Sequence, residues 1–400
     1  MKKIAIIMGR GIEGCGVTKF TVEQCKYFER NGYDYSVFAS KDKSWTRKNA
    51  HNTSNIHQLK FAEDEEVDDM IKNINKADIA IINSLPAMSL KEAAIENFKR
   101  MLSEIKVPVV LIQHDHSMQS IRRNGALDEA IERANIIFVH STTNDFAKYA
   151  GEKVGSRLTL FGEEEGTPIV AFQPGMYFDE VKDEYWKDSC KDINHHKWIG
   201  REVTWKGSPE MFAFHNAHLK ANNCLTTFEG IERSPAYLNI KDKFEFAFRI
   251  KDDIGEFDLS NAYGELAQVF GSYVQHEMLQ RMAEVGFGYQ LSYLKPHFID
   301  RSIEYTHCEV VCTGTIPVFH KQYGESCTHR HYGKRLIDCE NSGTIWLGPG
   351  NLDEVNAQIL ELDNPKKRDQ MRNNAFEFYK LHQDASYTFK EIMENIKNVI

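Results

Sequence analysis

Short apolar runs and longer amphipathic stretches alternate along the first 150 residues of the chain. Residues 3–8 form an apolar run that ends in a glycine-rich turn, and the stretch from Val17 to Arg30 has apolar residues at helical spacing. A second run of β-forming residues follows at 35–39. A strand, a glycine-rich turn, a helix and a strand are typical of the first unit of a parallel α/β sheet.

The same rhythm predicts the rest of this N-terminal half. We expect helices at 65–75 and 91–105, and strands at 77–83, 107–113 and 134–140. This order is typical of a doubly wound domain, which we place at 1–175.

A second alternating series follows an irregular, charged stretch that we interpret as an interdomain connection at 176–197. Strands are expected from Trp198 and at 224–227, 244–248, 288–292, 316–319 and 344–347, and the residues after Leu352 are predicted to be helical. We therefore place a second domain at 198–380 and a terminal helix at 381–400.

Composition narrows the functional classes. With 42% hydrophobic and 27% charged residues, the 400-residue chain is typical of a soluble protein of two domains. It has no apolar run near the ~20 residues of a membrane span and no signal-peptide cleavage site, so we expect no membrane partner and a cytoplasmic location. The net charge of −9 argues against nucleic-acid binding by bulk charge, so any DNA binding requires a local basic face.

The eight cysteines are scattered without CxxC spacing, which argues against a disulfide framework. The segment Cys327-Thr328-His329-Arg330-His331 could be drawn as a metal cluster. No second ligand group at zinc spacing accompanies it, so we expect no metal site there.

Two cations follow the predicted strand at Trp198. Arg201 and Lys206 lie between Gly200 and a helical sequence that begins at Ser208. An arginine fork, a lysine point charge and a helix start are what a bound diphosphate needs. We expect a diphosphate site here; the alternative is a pair of solvated surface charges.

The turn after the first strand, Gly9-x-Gly11-x-x-Gly14, matches the dinucleotide fingerprint, and Asp42 stands near the end of the second strand. The pattern also suits any phosphate or sugar that approaches a backbone turn closely. It is not a Walker A loop, because Val17 stands where the lysine would be. An NAD-dependent oxidoreductase therefore stays open as an alternative function.

Polar residues also follow the strand at 107–113. His114 and Asp115 come directly after it, at the edge where ligands of parallel α/β sheets bind. We predict that these two residues are catalytic, with Glu23 on the first helix as a weaker candidate. Further along the chain, Glu304 and Glu309 lie in a stretch that is typical of the start of a helix. Their carboxylates are candidate acceptors for sugar or ribose hydroxyls.

Two clusters supply positive charge in this acidic chain. The loop at 41–51 is basic and contains a tryptophan, and a second small cluster follows at 122–123. Together they provide phosphate contacts and one stacking or wedging aromatic, so we predict a DNA-binding surface. The predicted residues are Lys41, Lys43, Trp45, Arg47, Lys48, Arg122 and Arg123. A DNA-binding module without catalysis is the third functional hypothesis.

Several of these motifs resemble the retaining GT-B glycosyltransferases. Gly200-Arg201 with Lys206-Gly207, followed about 100 residues later by Glu309 and the Gly314-Thr315-x-Pro317 turn, is similar to the donor site of that group. The resemblance implies that the two cations bind the donor diphosphate and that Glu309 binds the ribose. Arg301 stands where the first glutamate of the group's usual pair would be, so Glu304 is the nearest candidate for that role.

A closer resemblance, to the DNA α-glucosyltransferase family of T-even bacteriophages, covers nearly the whole chain. It implies an α/β GT-B fold of two Rossmann-like domains with the donor between them and a last helix that crosses back to the first. It also implies sugar transfer from a uridine diphosphate donor to 5-hydroxymethylcytosine in duplex DNA, with retained configuration. The strings that carry it are Met8-x-Arg10-Gly11-x-Glu13-Gly14-Cys15-Gly16-Val17-Thr18-Lys19-Phe20, Gln113-His114-Asp115-His116-Ser117, Trp198-Ile199-Gly200-Arg201, Phe287-Gly288-Tyr289-Gln290-Leu291-Ser292 and Glu304-Tyr305-Thr306-His307.

The resemblance also implies roles for individual residues. Gly14, Gly16 and Val17 let the donor approach the backbone, and Gly314 and Thr315 belong to the donor turn. Glucose and arabinose both stay open as the donor sugar, as does a GT-B enzyme with a non-DNA acceptor. We expect a monomer that works in the cytoplasm of an infected host and needs no metal.

Overall fold

The computed structural model describes residues 2–11, 16–41, 55–114, 121–142, 144–155, 166–186, 191–200, 206–229, 267–270, 275–292, 304–348 and 350–400. The predicted strand at 244–248 lies outside these ranges. So do seven predicted site residues: Gly14, Lys43, Trp45, Arg47, Lys48, Asp115 and Arg201. The chain divides into two compact units, the first formed by Met1–Met176 with Ala385–Ile400 and the second by Tyr177–Asp384.

Strands and helices alternate through the first unit. Its elements are β1 (Lys3–Met8), α1 (Gly16–Arg30), β2 (Asp34–Ser40), β3 (Ile56–Leu59), α2 (Asp64–Ile74), β4 (Ile79–Ser84), α3 (Glu92–Glu104), β5 (Val109–Gln113), α4 (Leu127–Arg133), β6 (Ile136–Val139), α5 (Asp145–Val154) and β7 (Ile169–Ala171).

The seven strands form one parallel sheet in the order β3-β2-β1-β4-β5-β6-β7. Strands β1, β4 and β5 are continuous apolar runs because helices cover both faces of a parallel sheet. The order reverses between β1 and β4, so the crevice at their carboxyl ends is where such sheets bind ligands.

The second unit repeats this plan. Its elements are α6 (Phe178–Tyr185), β8 (Asp192–Ile199), α7 (Ser208–Phe214), β9 (Leu225–Glu229), β10 (Ala267–Phe270), α8 (Gln275–Ala283), β11 (Val285–Gln290), α9 (Tyr305–Cys312), β12 (Ile316–His320), α10 (Lys321–Ser326), β13 (Ile345–Leu347), α11 (Leu352–Glu361) and α12 (Pro365–Gln383). The sheet is parallel, in the order β10-β9-β8-β11-β12-β13, and its order reverses between β8 and β11.

The last helix, α13 (Ala385–Val399), belongs to the first unit. Its Phe389 packs on α1, with ring centroids 5.0 Å from Phe20 and 5.8 Å from Tyr27. The Thr388 hydroxyl donates a 2.9 Å hydrogen bond to the carbonyl of Gln173. The chain thus leaves the first unit after Met176 and returns to it at its last helix.

Residues 176–197 were predicted to be an irregular connection, and this prediction is wrong. They contain α6 and most of β8. Strand β8 was missed before Trp198 because its buried residues include His196 and Lys197, which hydropathy assigns to the surface. The His196 ring stacks 4.7 Å from that of Phe287, and its Nδ1 is hydrogen-bonded to the Tyr289 hydroxyl at 2.8 Å.

No helix in the described part of the chain is long and apolar enough to cross a membrane.

Several buried histidines are neutral in the folded protein. Burial lowers the pKa of His196 to about 3 and that of His215 to about 4. In the unfolded chain both take up a proton near pH 6.5, so below that pH the unfolded state binds more protons and stability falls with falling pH. We expect each histidine to cost about 2 kcal/mol of unfolding free energy at pH 5 relative to pH 7.5.

Urea unfolding at pH 7.5, 6.5 and 5.5 tests this expectation. His215 is bonded through Nδ1 to the Thr226 hydroxyl at 2.8 Å, so His215→Asn keeps a polar partner that does not titrate. Between pH 7.5 and pH 5.5 its unfolding free energy should fall by about 1.4 kcal/mol less in total than that of the wild type, with most of the difference below pH 6.5. Equal slopes in the two proteins would contradict the assignment.

Candidate active site

The carboxyl ends of β8 and β11 adjoin at the point where the strand order of the second sheet reverses. Lys206 follows β8 in the sequence, seven residues after Ile199, and the last residue of β11 is followed by Leu291 and Ser292. Ligand sites of doubly wound sheets lie at this position. The second unit therefore brings a predicted diphosphate-binding lysine to a ligand edge.

Two contacts hold Lys206 there. The buried Trp198 ring donates from Nε1 to the Lys206 carbonyl at 3.2 Å. The next residue, Gly207, has φ +72°, and a Cβ on it would lie 2.2 Å from the Leu291 carbonyl oxygen. The loop can therefore cross the end of β11 this closely only with glycine at 207.

The Lys206 ammonium forms an ion pair with the carboxylate of Glu304, and both groups are largely withdrawn from solvent. The Ser292 hydroxyl lies 3.4 Å from Glu304 Oε2 and 2.8 Å from Gln290 Oε1. Gln290 in turn donates from Nε2 to the Thr306 hydroxyl. Polar side chains from β11, α9 and the loop after β8 thus form one connected network.

The Gly314-Thr315 turn was predicted to belong to the donor site, but it lies elsewhere in the second unit. It lies between the end of α9 and the start of β12, at the amino edge of the sheet. Lys191, just before β8, donates to Thr313 O at 2.8 Å and to Thr315 Oγ1 at 3.4 Å. Since α9 is roughly 12 Å long, the turn is separated from Lys206 by the length of that helix.

Glu309 stays a predicted ribose-binding residue. It lies in the middle of α9 and is 5% exposed, five residues after Glu304. The two carboxylates are therefore on the same helix but about 7–8 Å apart along its axis.

The glycine-rich turn of the first sheet packs against the chain itself. A Cβ on Gly9 would lie 2.6 Å from the backbone nitrogen of Pro86, and one on Gly11, at φ +80°, would lie 2.3 Å from the Ser40 carbonyl. These two glycines are thus explained by tight backbone packing. Gly16 and Val17 form the first turn of α1, at the carboxyl edge of the sheet.

His114 directly follows β5 and is surrounded by aromatic rings. Its centroid is 4.8 Å from that of Phe20, 5.6 Å from Phe172 and 5.8 Å from His140. Burial lowers its pKa to about 3, so the imidazole is neutral near pH 7. Its Nε2 atom is buried and has no hydrogen-bond partner among the described residues, which leaves it able to bond to a ligand.

Glu23 is buried and paired with two lysines, so its carboxylate is not available to a substrate. It is 1% exposed, and its Oε1 lies 3.0 Å from the ammonium of Lys19 and 3.4 Å from that of Lys26. Two lysines of its own helix thus neutralise Glu23, which argues against its predicted catalytic role.

Part of the predicted basic face is at the carboxyl edge of the first sheet. Arg122 and Arg123 are exposed, and the Arg123 carbonyl accepts a 2.7 Å bond from the backbone N–H of Met88, which is 57% exposed. Lys41, at the end of β2, is 3.5 Å from the Glu66 carboxylate. The two arginines and Met88 therefore form a small exposed surface, which we call the arginine edge.

The segment at 327–331 serves packing. His329 is buried, donates from Nε2 to the Phe378 carbonyl at 3.1 Å and stacks on His382 with centroids 4.7 Å apart. Over the ranges that the structure describes, no group of three or more His, Cys, Asp or Glu residues is arranged to hold a metal ion.

Gln290, Ser292 and Met88 were not singled out by the sequence as site residues. Gln290 and Ser292 end an apolar strand, as His114 does after β5, so the same edge rule could have found them. Met88 carried no signal, because a single methionine is more often buried than functional.

Comparisons with known proteins agree with this architecture. Residues 15–367 match the sequence profile of the family described as DNA alpha-glucosyltransferase. The DNA alpha-glucosyltransferase of Enterobacteria phage T4 is 42% identical over 396 residues, which cover 97% of this chain and 98% of the phage protein.

Solved structures are similar over the same length. An alpha-glucosyltransferase in complex with UDP-glucose and DNA containing an abasic site has a TM-score of 0.87 and 41% identity, covering 99% of both chains. One in complex with UDP and a 13-mer DNA containing a HMU base has a TM-score of 0.87 and 40% identity, over 99% of this chain and 100% of that one. The expected GT-B architecture is thereby confirmed.

Gly207→Ala tests the close approach of the loop to β11. We expect it to lower the unfolding free energy by about 3 kcal/mol or more, from left-handed strain of about 1–2 kcal/mol plus the clash with Leu291. Gly333→Ala is the matched control, since Gly333 has φ +63° and nothing within 4 Å of the added Cβ. In urea unfolding, the control should lose only the ~1–2 kcal/mol of left-handed strain. Equal losses of unfolding free energy in the two variants would show that the contact between residue 207 and Leu291 does not matter.

Proposed function

This chain belongs to the DNA α-glucosyltransferase family, and from that premise we propose that it transfers glucose from UDP-glucose to DNA. The supporting relative was solved with UDP-glucose and DNA. The acceptor in this proposal is the hydroxymethyl group of 5-hydroxymethylcytosine in double-stranded DNA, and the anomeric configuration is retained. The enzyme works as a monomer in the cytoplasm of the infected cell.

The observation that carries the proposal is the position of Lys206 at the β8–β11 edge. Negative charge builds up on the diphosphate as the glycosidic bond breaks, and a preorganised cation stabilises it most in the transition state. Arg201, five residues earlier, adds a planar pair of donors for the same group. Glu309 holds the ribose, and the first turn of α1, with Gly16 and Val17, admits the donor close to the backbone.

His114 and Asp115 are the catalytic residues of this proposal. Because His114 is neutral, it contributes a hydrogen bond from its buried Nε2 rather than a positive charge. Asp115 stabilises an oxocarbenium-like state or removes the proton from the acceptor hydroxyl. Retention follows from double displacement through a protein nucleophile or from same-face attack with the leaving phosphate as base.

The arginine edge binds the DNA backbone. Two adjacent exposed guanidinium groups supply phosphate contacts, and the neighbouring Met88 gives an apolar surface for a deoxyribose or an unstacked base. The target base is flipped out of the duplex, which costs roughly a few kcal/mol. The basic stretch at 41–51 adds further phosphate contacts to the same DNA duplex in this proposal.

Lys206→Ala should lower kcat by about 100- to 1,000-fold, because the leaving diphosphate loses a cation worth ~2.7–4 kcal/mol in the transition state. Transfer of labelled glucose from UDP-glucose to hydroxymethylated duplex DNA measures this, with UDP-arabinose run in parallel. Lys220→Ala, which removes an exposed lysine of the same unit, should be unaffected. Near-wild-type turnover of Lys206→Ala would end its assignment, and faster transfer from UDP-arabinose would replace glucose as the donor sugar.

Arg122→Ala/Arg123→Ala should weaken DNA binding and flatten its log–log salt dependence by about 2 units, at ~0.9 per phosphate contact. Met88→Ala should weaken binding without changing the slope, because an apolar contact releases no counterions. Fluorescence anisotropy at several salt concentrations measures both. The control is Lys72→Ala/Lys76→Ala at the opposite edge of the sheet, and an equal change of slope in that control would refute the arginine edge.

A further inference from the structure

The carboxylate of Glu304 does not cap its own helix. Glu304 occupies the N-cap position of α9, where an acidic side chain ordinarily accepts bonds from the N–H groups of the first turn. Its side chain makes no such bond and instead pairs with Lys206. The lysine that would bind the donor diphosphate is therefore already bound to an anion.

The Ser292 hydroxyl stands between two acceptors. Its oxygen lies 2.8 Å from Gln290 Oε1 and 3.4 Å from Glu304 Oε2. Because a hydroxyl has one proton, it can donate a well-aligned hydrogen bond to only one of these two oxygens at a time. Gln290 Oε1 also accepts the Ser292 backbone N–H at 3.1 Å. The hydroxyl can thus turn to Glu304 and leave Gln290 with a donor.

The surroundings of this hydroxyl are fixed. Ser292 and Gln290 are both fully buried, and the Gln290 amide is held at its other end by the Thr306 hydroxyl. Rotation of the Ser292 hydroxyl is therefore a small movement that changes the donors to Glu304 without disturbing β11.

This inference rests on the proposed function. We propose that the donor diphosphate replaces Glu304 as the partner of Lys206, and that the Ser292 hydroxyl then turns to Glu304. The carboxylate of Glu304 is largely withdrawn from solvent, so the loss of its cation costs free energy unless another donor compensates it. Ser292 is thus a positioning residue, which makes the exchange of partners possible, and Glu304 is an internal competitor of the donor.

Calorimetric titration with inorganic pyrophosphate and with UDP tests this exchange. Glu304→Gln removes the competing charge and should bind pyrophosphate about tenfold more tightly than the wild type. Ser292→Ala removes the replacement donor and should bind both ligands about tenfold more weakly. Weaker pyrophosphate binding by Glu304→Gln would overturn the proposal.

The double variant separates this role from a structural one. With Glu304→Gln in place there is no carboxylate to compensate, so adding Ser292→Ala should change affinity by less than about threefold. Ser292→Thr keeps the hydroxyl and should restore wild-type affinity. A Ser292→Ala effect of equal size in both backgrounds would show that the serine only supports the fold.

Ser326→Ala is the matched control. It removes a hydroxyl of the same unit that bonds to the Gln322 carbonyl at 2.8 Å, and it should leave both affinities unchanged. A wild-type protein that binds neither UDP nor UDP-glucose would refute the proposed function itself. If the wild type and Ser292→Ala bind UDP equally well, only the proposed exchange of partners at Lys206 is refuted.

Discussion

The close approach of the Lys206-Gly207 backbone to the end of β11 is the constraint on which the candidate donor site depends. The Trp198 indole holds the loop from the β8 side, and contact with the Leu291 carbonyl fixes it from the β11 side. A flexible lysine loses rotamer freedom on binding an anion, so anchoring its backbone limits the ordering that binding still requires. In the proposed donor site, the position of the Lys206 ammonium is therefore limited by backbone contacts at the ends of two strands.

Polar side chains also lie inside the second sheet, where each has a specific partner. Buried histidines and amides, such as His196 and Gln290, occupy positions that apolar residues usually fill. Each is held by specific hydrogen bonds or stacked rings, and burial keeps the histidines neutral. These polar side chains thus add hydrogen bonds to the interior of the sheet without adding charge to it.

Local patterns were sufficient to predict the α/β class and the start of α7 at Ser208, because continuous apolar runs and turn signals record which strands are covered on both faces. They failed at β8, where His196 and Lys197 are buried through partners distant in sequence. The family resemblance, rather than a local pattern, placed Gly314 and Thr315 in the donor site, and a resemblance in sequence does not show at which edge of a sheet a turn lies. The link between Ser292 and Glu304 crosses two elements, so no local pattern could reveal it.

The return of α13 to the first unit sets an order for folding during synthesis. The ribosome delivers β1–β7 first, but the helix whose Phe389 covers Phe20 and Tyr27 emerges only after the whole second unit. Until then, the apolar face of α1 is exposed, which is when a nascent chain is most open to aggregation and chaperone binding. The second unit is continuous in sequence and can complete its sheet earlier, so the half that begins the chain is the last to be finished.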